Sequence, residues 1–211
     1  MFKKPRSLGI RLWHWLNALV IAGLLVTVLL RDTLFNAGNN AKVIRDKLEG
    51  AGATVTVEQA RAGARVLGQN LWAWHVYFGY ALAALVVVRG VVFLVDRRAP
   101  EPAVEASVAE ARKTLHYRLV KGLHKSFYAA LVVVALTGLE LAFKDAFGLG
   151  KPIQQLVHGV HENLMWFVIA FIILHVGGVV RSEQREDAGI VSEMLHGGAR
   201  PPASTSTGSP S

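Results

Sequence analysis

The sequence predicts an all-α membrane protein: a four-transmembrane-helix bundle with both termini cytoplasmic and a long helical first extracytoplasmic loop. Three observations predict it. Hydrophobic residues make up 52% of the 211-residue chain and charged residues 18%. The charge is crowded between four nearly uncharged stretches, at about residues 12–30, 72–95, 119–143 and 160–180. A helix needs roughly 20 apolar residues to cross a hydrocarbon core of about 30 Å, and a helix satisfies its own backbone in lipid. Finally, basic residues gather on one side of a path that crosses four times.

The first span follows Lys3, Lys4, Arg6 and Arg11. It ends in Leu29, Leu30 and Arg31 rather than in a small-residue cleavage site, so it reads as a retained helix and not as a signal peptide. Loop 31–71 sets six basic residues against four acidic ones. Residues 41–49 predict one short helix. Thr56 and Gln59 have capping-box spacing, which predicts a second helix running to about Leu67 and ending at Gly68. After the second span come Arg97 and Arg98, a connection over 99–108 with Pro100 and Pro102, then a charged helical stretch with Arg112, Lys113, Arg118 and Lys121. Only a short turn with Lys144 and Lys151 separates spans three and four. Arg181 and Arg185 follow the fourth, and the Gly-, Pro-, Ser- and Thr-rich residues 197–211 predict a disordered tail beyond one helical domain, 1–196. The positive-inside rule puts both termini in the cytoplasm. The net charge of +8 follows from this distribution and indicates a membrane partner, not nucleic acid. With no cysteine, the chain excludes disulfides, iron–sulfur clusters, thiolate metal sites and covalent c-type haem.

The eight histidines carry the functional argument. Ionisable residues within membrane helices are costly and usually functional. His161 and His175 stand fourteen residues apart on the fourth span. Fourteen residues is close to four helical turns, so both rings share a face about 21 Å apart along the axis. That distance suits two macrocycles, one near each membrane surface, and is too long for a dinuclear metal site. His14 opens the first span and His75 the second. The alternating direction of the spans pairs His75 with His161 at the outer level and His14 with His175 at the inner level. Each pair comes from two helices, as a bis-imidazole b haem between helices requires.

Arg89 lies fourteen residues after His75, on the same helix face at the inner level, where a haem propionate would be its anion. Snorkelling to the headgroups is its alternative role. Gly23, Gly79, Gly177 and Gly178 either leave room for a flat macrocycle or serve ordinary helix packing. His158, one turn before His161, is the alternative ligand on that helix. His124, with Tyr128 one turn on, is a propionate partner, a quinone-pocket residue or an interfacial polar residue. His116 and His196 lie in charged segments and read as surface residues. Trp13, Trp15, Trp72, Trp74 and Trp166 read as an interfacial belt.

The stretch Arg11-Leu12-Trp13-His14-Trp15-Leu16-Asn17 resembles the first helix of the b-type cytochrome subunit of membrane nickel–iron hydrogenases. His161-Glu162-Asn163-Leu164 and Leu174-His175-Val176-Gly177 resemble the fourth helix of bacterial cytochrome b561. Both belong to one superfamily of four-helix dihaem cytochromes, and the resemblance covers roughly residues 7–181. The family's ligands lie on helices one, two and four and carry over to His14, His75, His161 and His175. The long first loop departs from the compact cytochrome b561 pattern. The resemblance implies a bacterial inner-membrane protein with two haems b. It would pass electrons between a quinone, ubiquinone or menaquinone, and a periplasmic redox partner such as a hydrogenase or cytochrome c at the outer loop. A stand-alone superoxide:quinone oxidoreductase is a second reading, with Lys42, Arg45, Lys47, Arg61 and Arg65 steering the anion past Asp46, Glu49 and Glu58. A non-haem structural or transport protein is a third.

Overall fold

The structure, a computed structural model, describes residues 7–96, 115–185 and 189–197. Every regular element among them is an α-helix: α1 (Leu8–Asp32), α2 (Ala37–Gly50), α3 (Val57–Asp96), α4 (Leu115–Ala142), α5 (Lys144–Phe147), α6 (Lys151–Arg185) and α7 (Ile190–His196). The Pro100–Pro102 connection, the charged stretch with Arg112 and Lys113, the basic residues Lys3, Lys4, Arg6, Arg97 and Arg98, and the tail beyond Gly197 lie outside the described residues.

Four helices, α1, α3, α4 and α6, are long and apolar enough to cross a membrane. Their apolar side chains point outward: Leu19 is 67% exposed, Leu136 62%, Trp166 66% and Ile173 66%. Patches of this extent are not tolerated in water, so these faces meet lipid. The helices overshoot the expected spans because polar residues complete further turns beyond the hydrocarbon core. Thus α1 starts at Leu8, placing Arg11 inside the helix, and α6 starts at Lys151.

The loop after α1 holds two helical segments, as its sequence predicts, but not with the predicted end. Asn36 caps α2 by accepting the Asn39 N–H at 3.0 Å. The Thr56 capping box forms in full: Gln59 N–H donates to Thr56 Oγ1 at 3.2 Å and Thr56 N–H to Gln59 Oε1 at 2.9 Å. The helix it starts does not stop at Gly68; α3 continues without a break into the second span. A mid-helix glycine costs only about 1 kcal/mol relative to alanine, less than ending the helix would. α2 packs on the start of α3 through small residues, with Ala41, Ala60 and Ala64 buried and Ala37, Ile44 and Val55 against them.

The chain divides into two compact units, one of Met1–Leu16 with Val168–Ser211 and one of Asn17–Phe167. In the larger unit Leu131 is almost fully buried, with Ile21, Leu82, Ala130 and Ala135 also in the core. A Cβ on Gly23 would meet the Phe78 ring at 2.9 Å, so this glycine serves close packing of α1 on α3. In the smaller unit Phe171 and Met194 are buried. There α7 is held at both ends. The Glu183 carboxylate accepts the Gly189 and Val191 N–H groups at 2.8 and 3.1 Å. Arg11 Nε and Trp15 Nε1 donate to the Met194 carbonyl at 3.2 and 3.1 Å, and Arg11 also reaches the Leu195 carbonyl. A cation on the last carbonyls of a helix satisfies its unpaired acceptors and its dipole together.

Candidate functional site

In the smaller unit α1 contributes His14 and α6 contributes His175. Their ring centres are 6.2 Å apart with planes at 57°. His14 meets Trp15 edge-on at 5.5 Å, and His175 stacks on Phe171, one turn earlier, at 5.6 Å and 9°. Phe171 is buried, so this stack fixes the ring from the protein side.

In the larger unit α3 contributes His75 and α6 contributes His161. A threonine from a further helix stands behind each ring. Thr27 Oγ1 on α1 is 2.9 Å from His75 Nδ1, and Thr137 Oγ1 on α4 is 2.9 Å from His161 Nδ1. Trp72 stacks flat on His75 at 4.6 Å, with the Arg31 guanidinium 4.0 Å over the indole. Against His161 lies Gly138, where a Cβ would approach the ring carbon Cε1 to 3.1 Å. Trp72 is therefore more than an interfacial anchor.

The remaining candidates are placed as follows. His158 is exposed and pairs with Glu162 at 3.5 Å, one turn along α6. His124 Nδ1 donates to the Val120 carbonyl at 2.8 Å. The Arg89 guanidinium lies 5.9 Å from the Tyr128 ring centre. Gly79, Gly177 and Gly178 face open space, with nothing within 4 Å of where a Cβ would sit. Sequence reasoning passed over Thr27 and Thr137. It also passed over Glu140, whose carboxylate oxygens are both buried and lack a hydrogen-bond partner among the described residues.

The donor set can be tested against a haem. With metal–imidazole bonds of about 2.0–2.1 Å on either side, two imidazoles on opposite faces of one iron hold their ring centres roughly 6 Å apart. His14 and His175 meet that spacing. Two nitrogen donors, with no cysteine in the chain, also suit an iron porphyrin better than a structural zinc, which needs four ligands. Among the described residues no cluster of three or more His, Cys, Asp or Glu is assembled for a protein-only metal site.

Fold and site together define a multi-pass membrane protein with histidine pairs set between its helices. The family model for prokaryotic cytochrome b561 matches residues 6–197, and the chain belongs to that family of b-type cytochromes in electron transfer. Comparison with curated proteins and with solved structures gives no match.

Proposed function

We propose that this cytochrome carries two haems b per chain, one between His14 and His175 and one between His75 and His161. It would move electrons between the quinone pool of the bacterial inner membrane and a partner redox protein. The observation that carries this reading is the contact of His14 with His175 in one compact unit, with His75 and His161, each backed by a threonine, in the other. When bound, haem supplies a one-electron carrier whose potential follows its axial ligands, burial and propionate partners. The chain's own residues do the rest. His14 with His175, and His75 with His161, would hold the two haems through their ring nitrogens. Phe171 and Trp72 hold two of the rings in orientation. Arg89, rigidly mounted on α3, offers a guanidinium to a propionate. Ubiquinone or menaquinone would approach from lipid along a helix edge, and the α2–α3 hairpin would receive a periplasmic hydrogenase or cytochrome c.

The superoxide reading depends on free cations in that hairpin. Arg45 instead pairs with Glu49 at 3.3 Å and Asp46 at 4.0 Å, and Arg65 with Glu58 at 4.0 Å, which weakens any anion-steering field.

A pyridine haemochrome assay on the purified protein tests the proposal. The expected result is a red protein with two haems per chain, both extractable by acid acetone. One haem per chain would leave only one of the pairs as ligands. A colourless protein purified from haem-replete cells would return the chain to a structural or transport role.

A further inference from the structure

A hydroxyl has one proton to donate. Thr27 Oγ1 lies 2.7 Å from the Leu24 carbonyl of its own helix, and Thr137 Oγ1 lies 2.8 Å from Val133 and 3.1 Å from Val134 carbonyls. A carbonyl only accepts, so each hydroxyl proton is committed to the backbone. What each threonine then presents to its histidine, at 2.9 Å, is a lone pair. The facing Nδ1 must therefore carry the imidazole proton. With Nδ1 protonated, the neutral ring keeps its metal-binding lone pair on Nε2, the atom that points away from the threonine. Two helices that contribute no ligand to this pair, α1 beyond Leu16 and α4, thus impose the same tautomer on both rings.

We propose that Thr27 and Thr137 are positioning residues for the haem between His75 and His161, holding both imidazoles in the Nδ1–H form and setting that haem's potential. The inference rests on the ligand assignment proposed above. An Nδ1–H bond to an acceptor raises the basicity of the ligating nitrogen. A more basic ligand favours ferric over ferrous iron, so the two threonines lower the potential.

The test is potentiometric titration of the membrane-purified holoprotein. His75→Ala first identifies which haem belongs to this pair, as the component that disappears. Thr27→Val and Thr137→Val keep the side-chain shape and remove the acceptor. Each is expected to raise the potential of that component, changing its ferric–ferrous equilibrium by up to about tenfold, or ~59 mV for a one-electron couple. Thr27→Ser and Thr137→Ser, which keep the hydroxyl, are expected to restore it. If a valine variant loses the haem outright and the serine variant keeps it, the hydroxyl is again shown to be required. Unchanged or lowered potentials in the valine variants would overturn the inference. So would serine variants that fail as the valine ones do, since shape and not the hydrogen bond would then matter. Retention of both haems in His75→Ala would overturn the ligand assignment itself. That result is read with both threonines intact, so the two failures cannot be confused.

Discussion

At His75 and His161 a threonine hydroxyl stands 2.9 Å from Nδ1, and its own backbone bond decides which ring nitrogen carries the proton. The four histidines could be picked out from sequence because a titratable ring inside a hydrophobic run is expensive and because the fourteen-residue spacing puts two of them on one helix face. The threonines could not. A threonine in a membrane helix ordinarily bonds to a carbonyl three or four residues back, and Thr27 and Thr137 do so. Only the packing of α1 on α3 and of α4 on α6 brings a second partner to each. Glu140 was hidden for a different reason. A carboxylate near the end of a span is expected to reach the interface, yet both its oxygens are buried. The residue-scale prediction follows from the pairing. His75→Ala and His161→Ala are each expected to remove one and the same haem, and His14→Ala and His175→Ala the other, seen as loss of half the α-band absorbance. His161 faces Thr137 while His158 is exposed beside Glu162. If His158→Ala, and not His161→Ala, removes the haem, the α6 register is one turn wrong.

Elements were legible where their signals are local. The Thr56 capping box needs only four residues to be recognised, and it forms as expected. Helix α7 has no such signal. It spans seven residues, too few to be stable alone. It depends on Arg11 and Trp15, about 180 positions away in sequence. The end of the second loop helix was misread because Gly68 is a weak breaker inside a long run of helix formers. The continuity of α3 has a functional consequence: the α2–α3 hairpin is built on the same rod that carries His75, and its alanine core makes it a folded surface. Loops on a rigid scaffold often carry recognition. Replacing residues 36–68 with a short Gly/Ser link is expected to abolish reduction by the partner protein while leaving the haem spectrum and dithionite reduction intact. Partner-dependent reduction at the normal rate would rule out docking there, and collapse of the spectrum would assign the hairpin a shielding role instead.

At the scale of the whole molecule, function depends on which side of the membrane each end of the electron path faces, and charge decides that. If all four apolar helices cross, the chain returns to the side on which it began. Lys3, Lys4, Arg6 and Arg11 precede or open the first span, Arg97, Arg98, Arg112 and Lys113 lie between the second and third, Arg118 and Lys121 open the third, and Arg181 and Arg185 close the fourth. The hairpin side has near balance, six basic residues against four acidic. Lysine and arginine near span ends hold a segment in the cytoplasm, so the hairpin is expected outside and the α7 end inside. The chain has no cysteine, so a single introduced thiol reports without background. Ala53, between α2 and α3, and His196, at the end of α7, are both exposed. With a membrane-impermeant maleimide, Ala53→Cys is expected to label in intact spheroplasts and His196→Cys only in inside-out vesicles. The reverse pattern would turn the protein over and put the hairpin's partner in the cytoplasm. Labelling of both from one side would require an even number of crossings between Ala53 and His196, which would mean that α3, α4 and α6 do not all span the membrane.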